Sequence, residues 1–243
     1  MSQLHGAFTA NTLLGALPDA DLSLLMPSLS RVVMPRDQVL VEVNQPIEHV
    51  YFMEGGIASI VSFTVDDAPT EVGIFGREGM SGTALLLGAD RTPQRTFIQV
   101  DGATALRIDA EPFLAVLRQS ETLHTMLLRY VQTLFVQTAQ SVVANAHHRI
   151  EARLARWLLM CHDRIEGDEI PLTHEFMSMM IGAERSGVTV SLHVLEGAGM
   201  IRSLRGRVVV LDREKLIELA GAGYGPPEAE YRRMIGPIGR DRR

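Results

Sequence analysis

The run from Glu121 to Ala146 constrains this chain more than any other feature. It contains neither glycine nor proline, and from Tyr130 to His148 there is no Asp, Glu, Lys or Arg. Such a run predicts one long helix over residues 121–146. Its apolar residues, among them Met126, Leu127, Tyr130, Leu134, Phe135, Val136, Val142 and Val143, are not confined to one narrow stripe, so the helix needs cover on two sides. The strand-rich segment before it offers one cover, and a second copy of the chain offers the other. A 4-3 spacing through Leu127, Val131, Leu134, Thr138 and Ser141 predicts the dimerisation seam of a homodimer, although the seam grows polar toward its end. The core helix of a monomer is the alternative. Gln132, Thr133, Gln137, Gln140 and Asn145 interrupt the run and exclude a membrane span, so no membrane partner is implied.

The chain of 243 residues is long enough for two modest domains, one on each side of this helix. Before it, a short helix pattern at Asn11–Leu29 gives way to strand-like segments at Gln38–Glu42, His49–Met53, Ile57–Phe63, Glu71–Phe75, Thr96–Asp101 and Ala103–Ile108. Short strands at roughly ten-residue spacing predict a sandwich or jelly roll over residues 1–120. After it, Arg149–His162 reads as a helix with Ile150, Leu154, Trp157 and Leu158 on one face and Arg149, Arg153 and Arg156 off it. The expected class is α+β: an N-terminal jelly roll, a long dimerisation helix and a C-terminal helical domain over residues 147–220.

That last domain has a recognisable layout. Thr173 is a suitable N-cap for a helix ending at Gly182, and a second helix runs from Arg185 to Glu196, so the pair forms a helix-turn-helix pattern. Val188, Leu192 and Leu195 fall at i, i+4 and i+7 and should face the core, which turns Arg185, Ser186, Thr189 and His193 outward. Strand-like Met200–Leu204 and Val208–Leu211 then flank Arg205-Gly206-Arg207, a basic wing to which Arg202 adds a further cation. Helix-turn-helix plus wing within one short segment predicts binding to double-stranded DNA.

Charge agrees with that placement. Residues 1–146 carry 8 basic and 15 acidic side chains, whereas residues 147–243 carry 15 and 14, so nucleic-acid contact belongs to the second half. Of 23 basic residues only Lys215 is a lysine, and it follows no glycine-rich loop, which excludes a phosphate-binding P-loop. No His-x-His with a following glutamate, no GxSxG and no complete GxGxxG is present, so an enzyme is not expected, nor a cofactor or metal. His147, His148 and His162 read as polar side chains around a domain junction, Cys161 as a buried apolar residue, and Met177, Met179 and Met180 as core. The amino terminus lacks the basic and apolar regions of a signal peptide and Cys161 is the only cysteine, which predicts a cytoplasmic protein. The carboxy-terminal residues 221–243, ending RRMIGPIGRDRR, read as a tail, either flexible with non-specific phosphate affinity or disordered.

The segment LTHEFMSMMIGAERSGVTVSLHVLEGAGMIRSLRGRVVVLDREKL resembles the winged-helix domain of the Crp/Fnr family of bacterial transcription regulators. Val50-Tyr51-Phe52-Met53-Glu54-Gly55-Gly56 resembles an early strand and turn of that family's cyclic-nucleotide-binding-like roll, and the likeness runs from about Leu13 to Leu216. It implies a dimeric transcription regulator that reads a palindromic operator, with a small-molecule effector in the roll and RNA polymerase as a partner if it activates. A sensory module acting on a protein partner without DNA is the alternative. Within the roll, the resemblance maps the ligand site to Gly82, Arg95 and Thr96. The family's ribose-binding glutamate is missing, because Leu85, Leu86 and Leu87 stand in its place and Glu78 is too far from Arg95. Cyclic AMP is therefore not expected to switch the protein. In the second helix Arg185 coincides with a base-reading arginine, Ser186 stands where many members have glutamate, and Val190 where many have a second arginine.

Overall fold

Pro18 divides the first predicted helix. In the computed structural model, which describes residues 8–65, 69–100 and 102–240, Thr12–Gly15 forms α1, Asp19–Leu25 forms α2 and Met26–Ser28 a 3-10 turn. Ser30–Met34 then forms β1, an edge strand absent from the sequence reading because most of its side chains are exposed. The predicted strands follow as β2 (Val39–Val41), β3 (His49–Gly55), β4 (Ala58–Phe63), β5 (Pro69–Phe75), β6 (Arg95–Ile98) and β7 (Ala103–Asp109). Asp101, which the sequence reading places at the end of a strand, lies outside the described residues.

Two antiparallel sheets face each other in this roll, one ordered β1-β7-β3 and the other β2-β6-β4-β5. Met34, Leu40, Met53, Phe75 and Ile98 come from both sheets and fill the space between them. α3 (Ala110–Gln119) leads to Ser120, whose hydroxyl caps the next helix by accepting from the Leu123 amide.

That helix is α4, Glu121–His147, one residue longer than predicted. It covers the open edge of β5. The buried Gln137 amide accepts from the Ile74 amide at 2.7 Å and donates to the Ile74 carbonyl at 3.1 Å, while Thr138 donates to the Val72 carbonyl. A helix side chain thus takes the place of a neighbouring strand, which satisfies backbone groups that burial would otherwise leave unpaired.

The winged domain comprises α5 (Ile150–His162), β8 (Glu169–Ile170), α6 (His174–Ile181), α7 (Arg185–Gly197), β9 (Ile201–Leu204), β10 (Arg207–Val210) and α8 (Arg213–Ala220), with sheet order β8-β10-β9. One hydrophobic cluster runs across the junction: Ile57, Val61, Ile74 and Phe97 from the roll pack with Trp157, Leu158, Phe176 and Met180. Polar groups cross it too. Trp157 Nε1 donates to Glu71 at 2.9 Å, and Arg164 Nε donates to Glu78 at 2.7 Å with both side chains buried. Arg156, placed off the buried face by the sequence pattern, is only 5% exposed; it donates to the Gly223 carbonyl and the Ser141 hydroxyl, which offsets the cost of burying it.

The carboxy-terminal segment departs most from expectation. Through residue 240 it is docked, with Gly221–Gly223 as a 3-10 turn and Pro226–Met234 as α9 against α4. Tyr231 is 2% exposed and donates to the Glu78 carbonyl, and Ile238 joins the core of the roll. Farther on, Arg240 donates to Asp168 Oδ1 at 2.7 Å and to the Gly167 carbonyl. Tyr224 donates to Asp163, which also accepts from Arg213 at 2.6 Å. The segment therefore ties the roll to the winged domain.

Candidate nucleic-acid interface

Local chemistry sets the two helices of the motif at an angle. Thr173 caps α6 by accepting from the Phe176 amide, and Gly182 ends it with φ of +57°, a conformation that glycine enters at little cost. Arg153 of α5 donates to the carbonyls of Ile181 and Gly182, which fixes the turn to the domain core. α7 begins three residues after Gly182. Val188, Leu192 and Leu195 are at most 1% exposed, as their spacing predicts, and pin this helix against α5 and α6.

The outward face of α7 then follows. Arg185, Ser186 and His193 are exposed. Thr189 is different: it is half-buried, donates to the Arg185 carbonyl and sits 3.2 Å from His174 Nδ1, so its hydroxyl is committed within the protein. Val190, which the resemblance sets where relatives have a second arginine, and Val194, which the sequence reading does not single out, are 60% and 50% exposed. They extend the line from Ser186 at i+4 and i+8, a spacing that could have identified them. The face thus combines one guanidinium, a hydroxyl, an imidazole and two small apolar surfaces.

Beside it stands the wing. β9 and β10 pair from Leu204↔Arg207 to Ile201↔Val210, and Gly206, with φ of +76°, completes the two-residue tip. The Glu196 carboxylate of α7 accepts from the Ser203 amide at 3.0 Å, which sets the wing relative to α7. Arg202 and Arg205 are exposed. Arg207 is exposed as well, but its Nη1 lies 3.1 Å from Glu169 on β8, so part of its charge is neutralised inside the wing.

The other predicted positions are dispersed. Gly82, with φ of +74°, precedes a 3-10 turn at Thr83–Leu87 in which Leu85 and Leu86 are buried and Leu87 is exposed. Thr96 is buried in β6. Arg95 donates through Nε and Nη2 to Glu42, at 3.0 and 2.8 Å, and lines a cleft that neither Gly82 nor Thr96 reaches. Glu78, the remote carboxylate, is taken by Arg164.

The dimerisation stripe needs a correction. Leu127 is fully buried in the chain's own core, and Val131 and Leu134 pack against that same core. Thr138 bonds to β5, and the Ser141 hydroxyl serves the Gln137 carbonyl and Arg156. The apolar side chains that α4 leaves open are Leu128, Phe135, Val142 and Val143, at 37%, 69%, 63% and 45% exposed. Leu128, Phe135 and Val142 repeat every seven residues, one position away from the predicted seam.

Among the described residues no helix is long and apolar enough to cross a membrane. No curated protein sequence matches the chain. Solved structures do. A protein of Eubacterium rectale assigned to the crp/fnr family of transcriptional regulators is 16% identical, with 87% of this chain and 98% of that one covered at a TM-score of 0.68. FixK2 of Bradyrhizobium japonicum is 15% identical, with 80% and 98% covered and a TM-score of 0.68. TTHB099 of Thermus thermophilus, a transcriptional regulator of the CRP family, is 16% identical, with 79% and 97% covered and a TM-score of 0.66. Residues 152–219 match the sequence profile of the Crp-like helix-turn-helix domain, and this domain is carried on a chain with the fold of the Crp/Fnr regulators.

Proposed function

We propose that the protein is a homodimeric transcription regulator that reads a twofold-symmetric DNA site with α7 and grips the flanking backbone with its wing. The observation that carries this reading is the exposed face of α7. Arg185 suits bidentate contact with guanine O6 and N7, Ser186 and His193 offer further polar contacts, and Val190 and Val194 suit thymine methyl groups. Arg202 and Arg205, with a smaller share from Arg207, supply phosphate contacts that add affinity without sequence information. Thr189 serves the helix pair more than the DNA.

Two copies meeting along Leu128, Phe135 and Val142 would present two such faces, with half-sites about 34 Å apart. Selection of bound fragments from random duplex DNA tests the proposal. The expected outcome is an inverted repeat with a guanine at one position of each half-site. Recovery of unenriched sequence would contradict it.

A further inference from the structure

The outer face of the roll's four-stranded sheet carries the apolar Val61, Ile74 and Phe97 beside the polar Ser59 and Glu71, and the winged domain covers only part of it. Phe97 is 9% exposed because Phe176 of α6 packs edge-on against it at 6.3 Å between ring centres. Beyond that contact the two domains diverge around a cleft of about 350 Å³, whose walls include Phe63 and Phe97 from the sheet and Phe176 and Met179 from α6. Cavities of this size at domain boundaries, largely apolar with a few directed polar groups, are where small molecules bind.

The polar side chains here are Arg36, Arg95, Thr173 and Asp37, whose Oδ1 lies 3.7 Å from Arg36 Nε. The Arg95 guanidinium lies 5.5 Å from the centre of the Phe63 ring, and Arg36 from the roll reaches across to lie 5.8 Å from the centre of Phe176. Glu42 occupies two of the five N–H donors of Arg95 and holds its orientation. Three donors remain without a hydrogen-bond partner among the described residues. Aromatic rings on both walls favour a flat apolar body, and a guanidinium with spare donors favours a carboxylate.

We propose that this cleft binds a planar aromatic monocarboxylate, with the ring between Phe63, Phe97 and Phe176 and the carboxylate on Arg95. Because the walls belong to different domains, such a ligand would add to the docking of α6 on the roll. That regulatory consequence rests on the DNA-binding reading; occupancy of the cleft does not.

The test therefore contains no DNA. Benzoate, phenylacetate and cinnamate are titrated calorimetrically into the full-length protein, with benzamide as the uncharged counterpart of benzoate. Phenylacetate binding is also followed by fluorescence of Trp157, the single tryptophan, which lies 6.2 Å from Phe176. The expected result is a dissociation constant below about 1 mM for at least one carboxylate, weakened about tenfold or more by Arg95→Gln, with benzamide weaker than benzoate by a similar factor. Arg36→Gln, at an equally exposed position, provides a second variant should Arg95→Gln disturb folding. Absence of binding by all three carboxylates at about 10 mM would overturn the proposal, and so would equal affinity for wild type and both variants. Either failure leaves DNA selection by the same protein as an independent result.

Discussion

Replacing Glu71 by glutamine should stabilise the protein increasingly as pH rises from 4.5 to about 8. Glu71 is buried at the junction of the two domains, where desolvation raises its pKa from 4.5 to about 8, against the opposing effects of the Trp157 hydrogen bond and the Arg156 charge. Ser59 also faces this carboxyl and shares its hydroxyl with Gln99. Ser59 Oγ lies 3.2 Å from Gln99 Oε1 and 3.4 Å from Glu71 Oε2, and its one hydrogen cannot serve both. Between pH 4.5 and 8 the folded chain keeps a proton that the unfolded chain has released, so stability present at low pH is lost as pH rises through this window. The slope is about 1.4 kcal/mol per pH unit, which gives on the order of 4 kcal/mol by about pH 7.5. Glutamine retains an acceptor for Trp157 and a donor for Ser59 but cannot ionise. Urea unfolding of wild type and Glu71→Gln from about pH 5 to 9, followed by Trp157 fluorescence, isolates this contribution because other titrations cancel in the difference. A difference between the two proteins that does not vary with pH would refute the reasoning.

Phe135→Asp should convert the proposed dimer to a 26.8 kDa species in sedimentation at micromolar concentration, since that side chain is exposed in the single chain. Leu134→Asp should instead destabilise the fold, because Leu134 packs on the core of its own chain; monomerisation by Leu134→Asp alone would restore the seam through Leu127 and Leu134. Tyr231→Phe should cost about 1 kcal/mol through the lost bond to the Glu78 carbonyl, and Tyr231→Ala about 3–5 kcal/mol, both read by urea unfolding. Stabilities equal to wild type would mean that α9 is not docked in solution. Cyclic AMP should neither bind calorimetrically nor change DNA affinity, because side chains fill the space between the sheets and Arg95 is turned to Glu42; low-micromolar binding with an operator affinity about tenfold higher would contradict this.

What the sequence discloses here is what periodicity and local chemistry carry. The glycine-free run predicts α4 to within one residue, strand alternation locates β2 to β7, and the i, i+4, i+7 spacing of Val188, Leu192 and Leu195 fixes which side of α7 is buried. What escapes depends on partners remote in the chain. Two parallel stripes with seven-residue spacing run along α4, and only the contacts of Gln137 and Thr138 with β5 reveal which one faces inward. Arg156 looks like a solvated arginine until Gly223 and Ser141 are seen around it. Nothing near Tyr231 or Arg240 announces that Glu78 and Asp168 will receive them. Val190 is noticed only as the position where relatives carry a second arginine, and Val194 escapes because the outward face is not traced beyond His193.

Base reading by α7 is tested most directly by comparing Arg185→Ala with Arg205→Ala on two DNAs. Affinities for a selected operator and for a random duplex are measured for each variant across a range of salt. Arg185→Ala should lose about 1–3 kcal/mol on the operator and little on random DNA, with relaxed selectivity at one base pair per half-site. Arg205→Ala should weaken both DNAs alike and reduce the salt slope by about 1. Equal losses by Arg185→Ala on operator and random DNA would contradict the assignment of base reading to this helix.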